Sequence, residues 1–279
     1  MIGASNQDPD HGMILRIASW NVNSVRLRLD HILRFVSEAR PDVLCLQEIK
    51  CQESEFPRRA LAAAGLPHVL VAGQKGWHGV AIASAVPLEP LPALGVCREG
   101  QARSLSARVA GLDLHTLYVP AGGDLPDPAL NAKFAHKLDF FARLTAKMAV
   151  LDGQSPVVLC GDLNVAPGMF DVWSHRQMSK VVSHTPIEIA AMESLRASLG
   201  FVDVIRRAHP EPEKVFTWWS YRAADFRTSD RGLRLDHIWV SPSLAPRIAE
   251  DPASSRVYQD VRAWTRPSDH VPVSFDLRL

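Results

Sequence analysis

Gly161-Asp162-Leu163-Asn164 directly follows the apolar run Pro156-Val157-Val158-Leu159-Cys160, so a carboxylate and an amide stand where a strand should end. Three other short clusters repeat that pattern: Trp20-Asn21-Val22-Asn23, Leu46-Gln47-Glu48 and Ser268-Asp269-His270 each border a strand-like run. A hard divalent cation takes oxygen ligands, with one or two protein carboxylates leaving room for water and phosphate oxygens. Glu48 suits that role, and taken alone it reads equally as an exposed glutamate beside Lys50. Asp162 and Asn164 are two residues apart and on an extended segment would share one side, where they could orient a water and hold a phosphate oxygen. The same tetrapeptide also reads as an Asx-type turn. His270 follows Asp269, and Asp236-His237 in another apolar run offers a carboxylate that would fix a histidine tautomer or raise its pKa. Asn, Glu, Asp and His at four strand mouths together point to metal-assisted phosphoryl transfer.

The elements that must position these groups are legible as periodicity. Alternation and short apolar runs predict strands near 14 to 20, 43 to 47, 68 to 72, 79 to 84, 104 to 109, 112 to 119, 156 to 161, 235 to 241 and 271 to 278. Leu130, Phe134, Leu138, Phe141, Leu144 and Met148 step by three and four and predict a long helix opening at Asp127-Pro128. A second helix is expected over about 27 to 39, with Leu29, Ile32, Leu33 and Val36 on one face. A third, over about 187 to 199, begins with the capping box Thr185-Pro186-Ile187-Glu188. No repeat or linker divides the chain, so residues 13 to 279 are expected to form one domain with sheets inside and helices outside. Residues 1 to 12 are expected to be a disordered leader.

Composition narrows the class but not the chemistry. The chain has 279 residues, 47% hydrophobic, enough for a substantial core. No run approaches the roughly 20 apolar residues of a membrane span, and no signal-peptide apolar region opens the chain. Cys45, Cys51, Cys97 and Cys160 lack paired metal-ligand spacing, so reduced thiols in a cytoplasmic protein are expected. A formal charge of +1 gives no global argument for nucleic acid; any electrostatic footprint must be local.

These motifs, with Pro41 to Lys50, Gly73-Gln74-Lys75-Gly76 and Arg231-Gly232-Leu233-Arg234-Leu235-Asp236, resemble the exonuclease III family of abasic-site endonucleases. That family lies within the endonuclease/exonuclease/phosphatase group that shares the DNase I fold. The resemblance runs from about residue 14 to 279, with order and spacing in agreement. It implies a four-layer α/β sandwich, two packed, mainly antiparallel sheets flanked by helices. Residue by residue, it implies that Glu48 binds magnesium or manganese, with Asn21 and Asn23 helping to hold the ion and its surroundings. Asp162 would activate water, Asn164 would contact the phosphate, and Tyr118 would lie near the scissile phosphate. His270, held by Asp236, would donate to a phosphoryl oxygen, and Asp269 would serve the metal. The implied reaction is hydrolysis of the phosphodiester 5′ to an abasic sugar in double-stranded DNA, with 3′-5′ exonuclease and 3′-end cleaning at the same centre, by a monomer.

Recognition of DNA is expected in the segment from Lys214 to Asp236, where Lys214, Arg222, Arg227, Arg231 and Arg234 interleave with Phe216, Trp218, Trp219, Tyr221 and Phe226. In the family pattern Trp218, Leu233 and Leu235 would wall a pocket for a base-free sugar. Without the family, the aromatics also read as core and the arginines as solvated. Arg26, Lys75 and Arg103 are further expected phosphate contacts, and Tyr118 alone also reads as a core tyrosine at a strand end. Two features depart from the family: Ala121 stands where a polar amide is usual, and the loop from Pro167 to Lys180 is bulkier. The same fold also serves phosphatases of small molecules or lipids, which would keep Glu48, Asp162 and His270 but would not need the Lys214 to Asp236 segment. An inactive DNA-binding relative would not need the intact acids.

Overall fold

Val43–Gln47 and Val157–Asp162 are buried on both faces, the pattern of parallel strands covered above and below. Each lies near the middle of a sheet. The computed structural model describes residues 13–222 and 225–279, so the leader expected at 1 to 12 lies outside the described residues. The strands in chain order are β1 (Ile14–Asn21), β2 (Val43–Gln47), β3 (His68–Ala72), β4 (Val80–Ser84), β5 (Glu89–Pro90), β6 (Ser104–Val109) and β7 (Leu112–Tyr118). They continue with β8 (Val157–Asp162), β9 (Val202–Asp203), β10 (Trp218–Trp219), β11 (Gly232–Leu233), β12 (Asp236–Val240), β13 (Ser255–Val257) and β14 (Val273–Arg278). One sheet runs β13-β14-β1-β2-β4-β3 and the other β5-β6-β7-β8-β12-β9, while β10 and β11 form a separate ladder. Each large sheet is antiparallel except for one central pair, β1 with β2 and β7 with β8.

The sheets stack on a shared apolar layer that includes Ile17, Val43, Ile82, Leu114, Val158, Ile238 and Phe275. Cys45 and Cys160 sit in that layer as small buried hydrophobes, and all four cysteines are free thiols. The helices are α1 (Leu29–Ala39), α2 (Arg58–Ala63), α3 (Ala132–Met148), α4 (His175–Met178), α5 (Pro186–Leu199), α6 (Val204–Ala208) and α7 (Phe226–Ser229). On the outer face of the first sheet, α1 packs Ile32, Phe35 and Val36 against Trp20, Leu44 and Leu46. Over the second, α3 and α5 pack Phe140, Phe141, Leu144, Met192 and Leu195 against Leu159 and Trp239. The result is helix, sheet, sheet, helix.

One helix start differs from the periodicity. The long helix begins at Ala132, where the Asn131 side chain accepts the Lys133 N–H, rather than at Asp127. Asp127 instead accepts the Ala129 N–H at 2.8 Å and turns the chain one step earlier. Leu130 therefore leaves the apolar face and is 75% exposed. At α5 the capping box forms as read, with Thr185 and Glu188 each accepting from the other's end of the first turn.

Candidate active site

All four central strands end at the same edge of the sandwich. Tyr118 closes β7 opposite Asp162 at the end of β8, and Asp162 in turn pairs with Asp236 at the start of β12. In the first sheet Asn21 ends β1 beside Gln47, and Glu48 follows β2. His270 precedes β14 and bridges to Trp218, while the Trp20 indole N–H donates to its carbonyl at 3.1 Å. Gly161 is required at this edge. Its φ is 136°, and a Cβ there would lie 2.0 Å from the Leu117 carbonyl oxygen, so β7 and β8 could not approach as they do.

Asn21 joins the halves. Its Nδ2 donates to Glu48 Oε1 at 3.1 Å and to Asp162 Oδ2 at 2.9 Å, so one buried amide spans a carboxylate from each sheet. Tyr118 Oη donates to Glu48 Oε1 at 2.7 Å, and Lys50 Nζ lies 2.9 Å from Glu48 Oε2. Burial opposes charge on Glu48, but Lys50, Asn21 and Tyr118 outweigh it and hold the carboxyl below its ordinary range. Tyr118 moves the opposite way: burial and the neighbouring Glu48 and Asp162 push its phenol well above 10, so it remains a neutral donor.

Asp162 and Asn164 are adjacent in space, but not on an extended segment. Asn164 has φ 54°, and its backbone N–H returns to Asp162 Oδ1 at 3.0 Å while Nδ2 donates to Oδ2 at 3.1 Å. The turn reading is thus correct for the backbone, and it is this turn that brings the amide against the carboxylate. Asn23 and Glu48 also have positive φ, 45° and 50°. Non-glycine residues in the left-handed region concentrate where surrounding structure over-determines a functional conformation.

Asp162, Asp236 and His270 form a tight buried triad. His270 Nδ1 lies 2.8 Å from Asp236 Oδ2, and Nε2 lies 3.7 Å from Asp162 Oδ2. Burial disfavours the imidazolium, but Asp236 and Asp162 outweigh burial and push His270 up to about 10. Burial also pushes Asp162 up to about 7, with His270 opposing and Asp236 adding to the rise. A cation that donates and a carboxylate near neutrality are the electrostatics of a charge donor beside a proton acceptor.

The triad could itself gather a metal, but its imidazole is already clamped between two carboxylates. Around Glu48 the oxygens on offer are its own carboxylate and the Tyr118 phenol, hard ligands that fit magnesium or manganese, while Asn21 turns its amide nitrogen to Glu48 and its Oδ1 to the Asn23 N–H. Asp269 stands to one side, accepting from Asn23 Nδ2 and from the Trp218 indole N–H, both at 3.0 Å.

The expected DNA-facing residues divide into two groups. Lys75 and Arg231 are exposed, the latter over the Trp173 ring at 4.7 Å, and Arg26 is exposed in an ion pair with Glu55. Leu233 and Leu235 pack with Ala166, Val172 and Met178 in a small apolar cluster bordered by Trp173 and Trp218. Arg103 is 6% exposed and turned inward: it donates to the Tyr118 carbonyl and Gln101 and lies over the Tyr118 ring, so it supports that tyrosine rather than facing solvent. Phe216 and Trp219 are core.

Arg234 is likewise internal. Its guanidinium donates to both oxygens of Asp171, at 2.7 and 3.0 Å, and to Asp203 at 2.7 Å, which ties the loop after Pro167 to β12. Burial opposes charge on Asp171, but Arg234 and Arg206 outweigh it and hold the carboxyl down at about 2. Because the folded value is below the unfolded one, this stabilisation is complete above about pH 4 and disappears as pH falls toward 2. Asp171→Asn should cost on the order of 1–3 kcal/mol at pH 7 by leaving the buried Arg234 with Asp203 as its remaining carboxylate, and should flatten the loss of stability between pH 4 and 2. Urea unfolding across that range is the check; an unchanged slope would show that Asp171 is not the group titrating.

Sequence comparison gives a consistent picture. The Endonuclease/Exonuclease/phosphatase family profile matches residues 18–270. Exodeoxyribonuclease III of Haemophilus influenzae is 31% identical over 275 residues, covering 93% of this chain and 98% of that protein. An AP endonuclease from Archaeoglobus fulgidus superposes with a TM-score of 0.87 at 34% identity, over 95% of this chain and all of that one (100%). The 3′ phosphatase NExo from Neisseria, solved bound to a product DNA hairpin, gives 0.84 at 34% identity with the same coverage, 95% and 100%.

Proposed function

The chain belongs to the Endonuclease/Exonuclease/phosphatase family as a hydrolytic nuclease of DNA repair, and we propose that it cuts the phosphodiester 5′ to abasic sites in double-stranded DNA. The observation that carries this reading is the convergence of Glu48, Asn21, Tyr118, Asp162 and His270 on one edge, linked by hydrogen bonds across two sheets. Beside it the half-buried Trp218, packed on the buried Leu233 and Leu235, would be the apolar wall that a sugar without its base meets. Its 3′-directed activities would use the same centre on chain ends.

Glu48, with Asn21 and Asp269 nearby, would hold magnesium or manganese, which when bound supplies positive charge to the phosphoryl oxygens. Asp162 takes the proton of the attacking water, whose oxygen bonds to phosphorus as the bond to the upstream 3′ oxygen breaks; that oxygen takes up a proton, leaving a 3′ hydroxyl and a 5′ deoxyribose phosphate. Asn164 keeps Asp162 oriented and presents its amide to the phosphate. His270, kept cationic and aligned by Asp236, donates from Nε2 to a non-bridging oxygen as negative charge grows there. Tyr118 orients Glu48 and lines the phosphate position. The exposed Lys75, Arg26 and Arg231 would contact backbone phosphates, which fix register without reading sequence.

The test is a labelled duplex carrying one abasic analogue, incubated with the pure protein as a monomer-sized fraction, with magnesium and with chelator. Incision 5′ to the lesion with magnesium, and none with chelator, is the expected outcome. Equal cutting of undamaged duplex, or no cutting, would defeat the abasic-site assignment.

A further inference from the structure

Lys137 stands on the buried face of α3 between Phe134 and Phe141, and its side chain is completely buried. A lysine there is expensive unless paired, and this one uses its ammonium on three acceptors. It donates to the Asn164 carbonyl at 2.7 Å, to the Ala121 carbonyl at 3.3 Å and to Glu188 Oε1. Glu188 is itself fully occupied, taking the Ser183 and Thr185 N–H groups and the Thr185 hydroxyl at the start of α5. The two carbonyls belong to the turns that follow β8 and β7, the strands ending in Asp162 and Tyr118. Gly122 makes room for the arrangement: a Cβ there would meet Lys137 Cδ and Val182 Cγ1, each at 3.1 Å.

We propose that Lys137 is a positioning residue for the reaction: its ammonium pins the carbonyl of Asn164 and thereby holds the left-handed turn that sets the Asn164 amide against Asp162. The inference rests on the reading of Asp162 and Asn164 as reacting groups. Among the described residues Lys137 is the donor to the Asn164 carbonyl, whereas the Asn164 N–H and side-chain amide are tied to Asp162 and, at 2.9 Å, to Val119 O. Loss of Lys137 would therefore release the carbonyl end of the turn, and the N–H and amide that Asn164 gives to Asp162 would shift with it. A displacement on the order of 1 Å at such a group costs up to about 10²-fold in rate.

The test separates position from stability by removing both charges together. Replacing a buried ion pair with residues of similar volume is often neutral for folding, whereas removing one partner is not. Glu188→Gln also preserves the capping box. The double variant Lys137→Met, Glu188→Gln is expected to melt near the wild type, to keep KM for lesion-bearing duplex within about twofold, and to lose ~10-fold or more in kcat. The pair Lys137→Gln, Glu188→Gln, which retains a neutral N–H donor, should recover part of that kcat. Wild-type kcat in the folded Lys137→Met, Glu188→Gln pair overturns the proposal, as does a Lys137→Gln, Glu188→Gln pair with no higher kcat than it, and loss of folding in both assigns Lys137 to the fold alone and overturns it too. Asp162→Asn, assayed alongside, distinguishes the two failures: if it remains active, the reading of the site has failed rather than the role of Lys137.

Discussion

Asp162→Asn should reduce cleavage of an abasic duplex by about 10³-fold or more, the range of a general base combined with the loss of a negative charge beside the attacking water. DNA affinity should be unchanged or slightly tighter, because the substitution removes a negative charge next to a bound phosphate. The protein should melt close to the wild type, because relief from burying the charge is offset where the new NH2 meets the Asn21 or Asn164 donors. Burial pushes the Asp162 carboxyl up to about 7, so holding it ionised at neutral pH costs folding free energy that an uncharged amide does not. The site thus pays stability for reactivity, a common arrangement where a charged group must be kept dry. The measurements are single-turnover cleavage, Kd for an uncleaved analogue, and a thermal melt. Near-normal turnover would remove Asp162 from the chemistry.

His270→Asn should lower kcat by about 10²–10³-fold, the loss expected for one preorganised donor worth roughly 3–4 kcal/mol in the transition state. The concentration of magnesium needed for half-maximal rate should be nearly unchanged. That second readout decides between two roles for the buried triad. If His270 serves a metal together with Asp162 and Asp236, its removal should raise the metal requirement, because losing a ligand or its support costs 10–100-fold or so in affinity. If it is a cation that donates to phosphate, only the rate should fall. The imidazolium is stable in place, pushed up to about 10, so rate should not decline through loss of its proton until pH approaches that value.

Much of the architecture was legible because the long strands announce themselves. Val43–Gln47, His68–Ala72 and Ser104–Val109 fall where the apolar runs predict them. The elements that escaped are two to six residues long, such as Glu89–Pro90 and Val204–Ala208, too short to show a period. Of the site, residue types were readable and orientations were not. Asp162 and Asn164 were visible as a pair, but the return of the Asn164 N–H to Asp162 depends on a left-handed φ that alternation cannot report. Arg234 and Arg103 read as surface charges because arginine usually is one; the Asp171 that neutralises Arg234 lies 63 residues away in sequence. Lys137 carried a signal that periodicity does contain, a cation three residues after Phe134 and four before Phe141 on a mainly apolar face. What it held could only be seen once the two turns were brought beside it.

Glu48 and Asn21 belong to one sheet, Tyr118, Asp162 and Asp236 to the other. The groups proposed to react therefore face each other across a seam, and neither half of the sandwich contains the proposed set. Sliding one sheet over the other would alter the separation of Glu48 from Asp162 without breaking a single ladder hydrogen bond. Catalytic rate is in this sense a gauge of the alignment of the two halves, and a change of side-chain volume in the middle layer, at Cys45 or Ile82, can be felt at the phosphate though it touches nothing there.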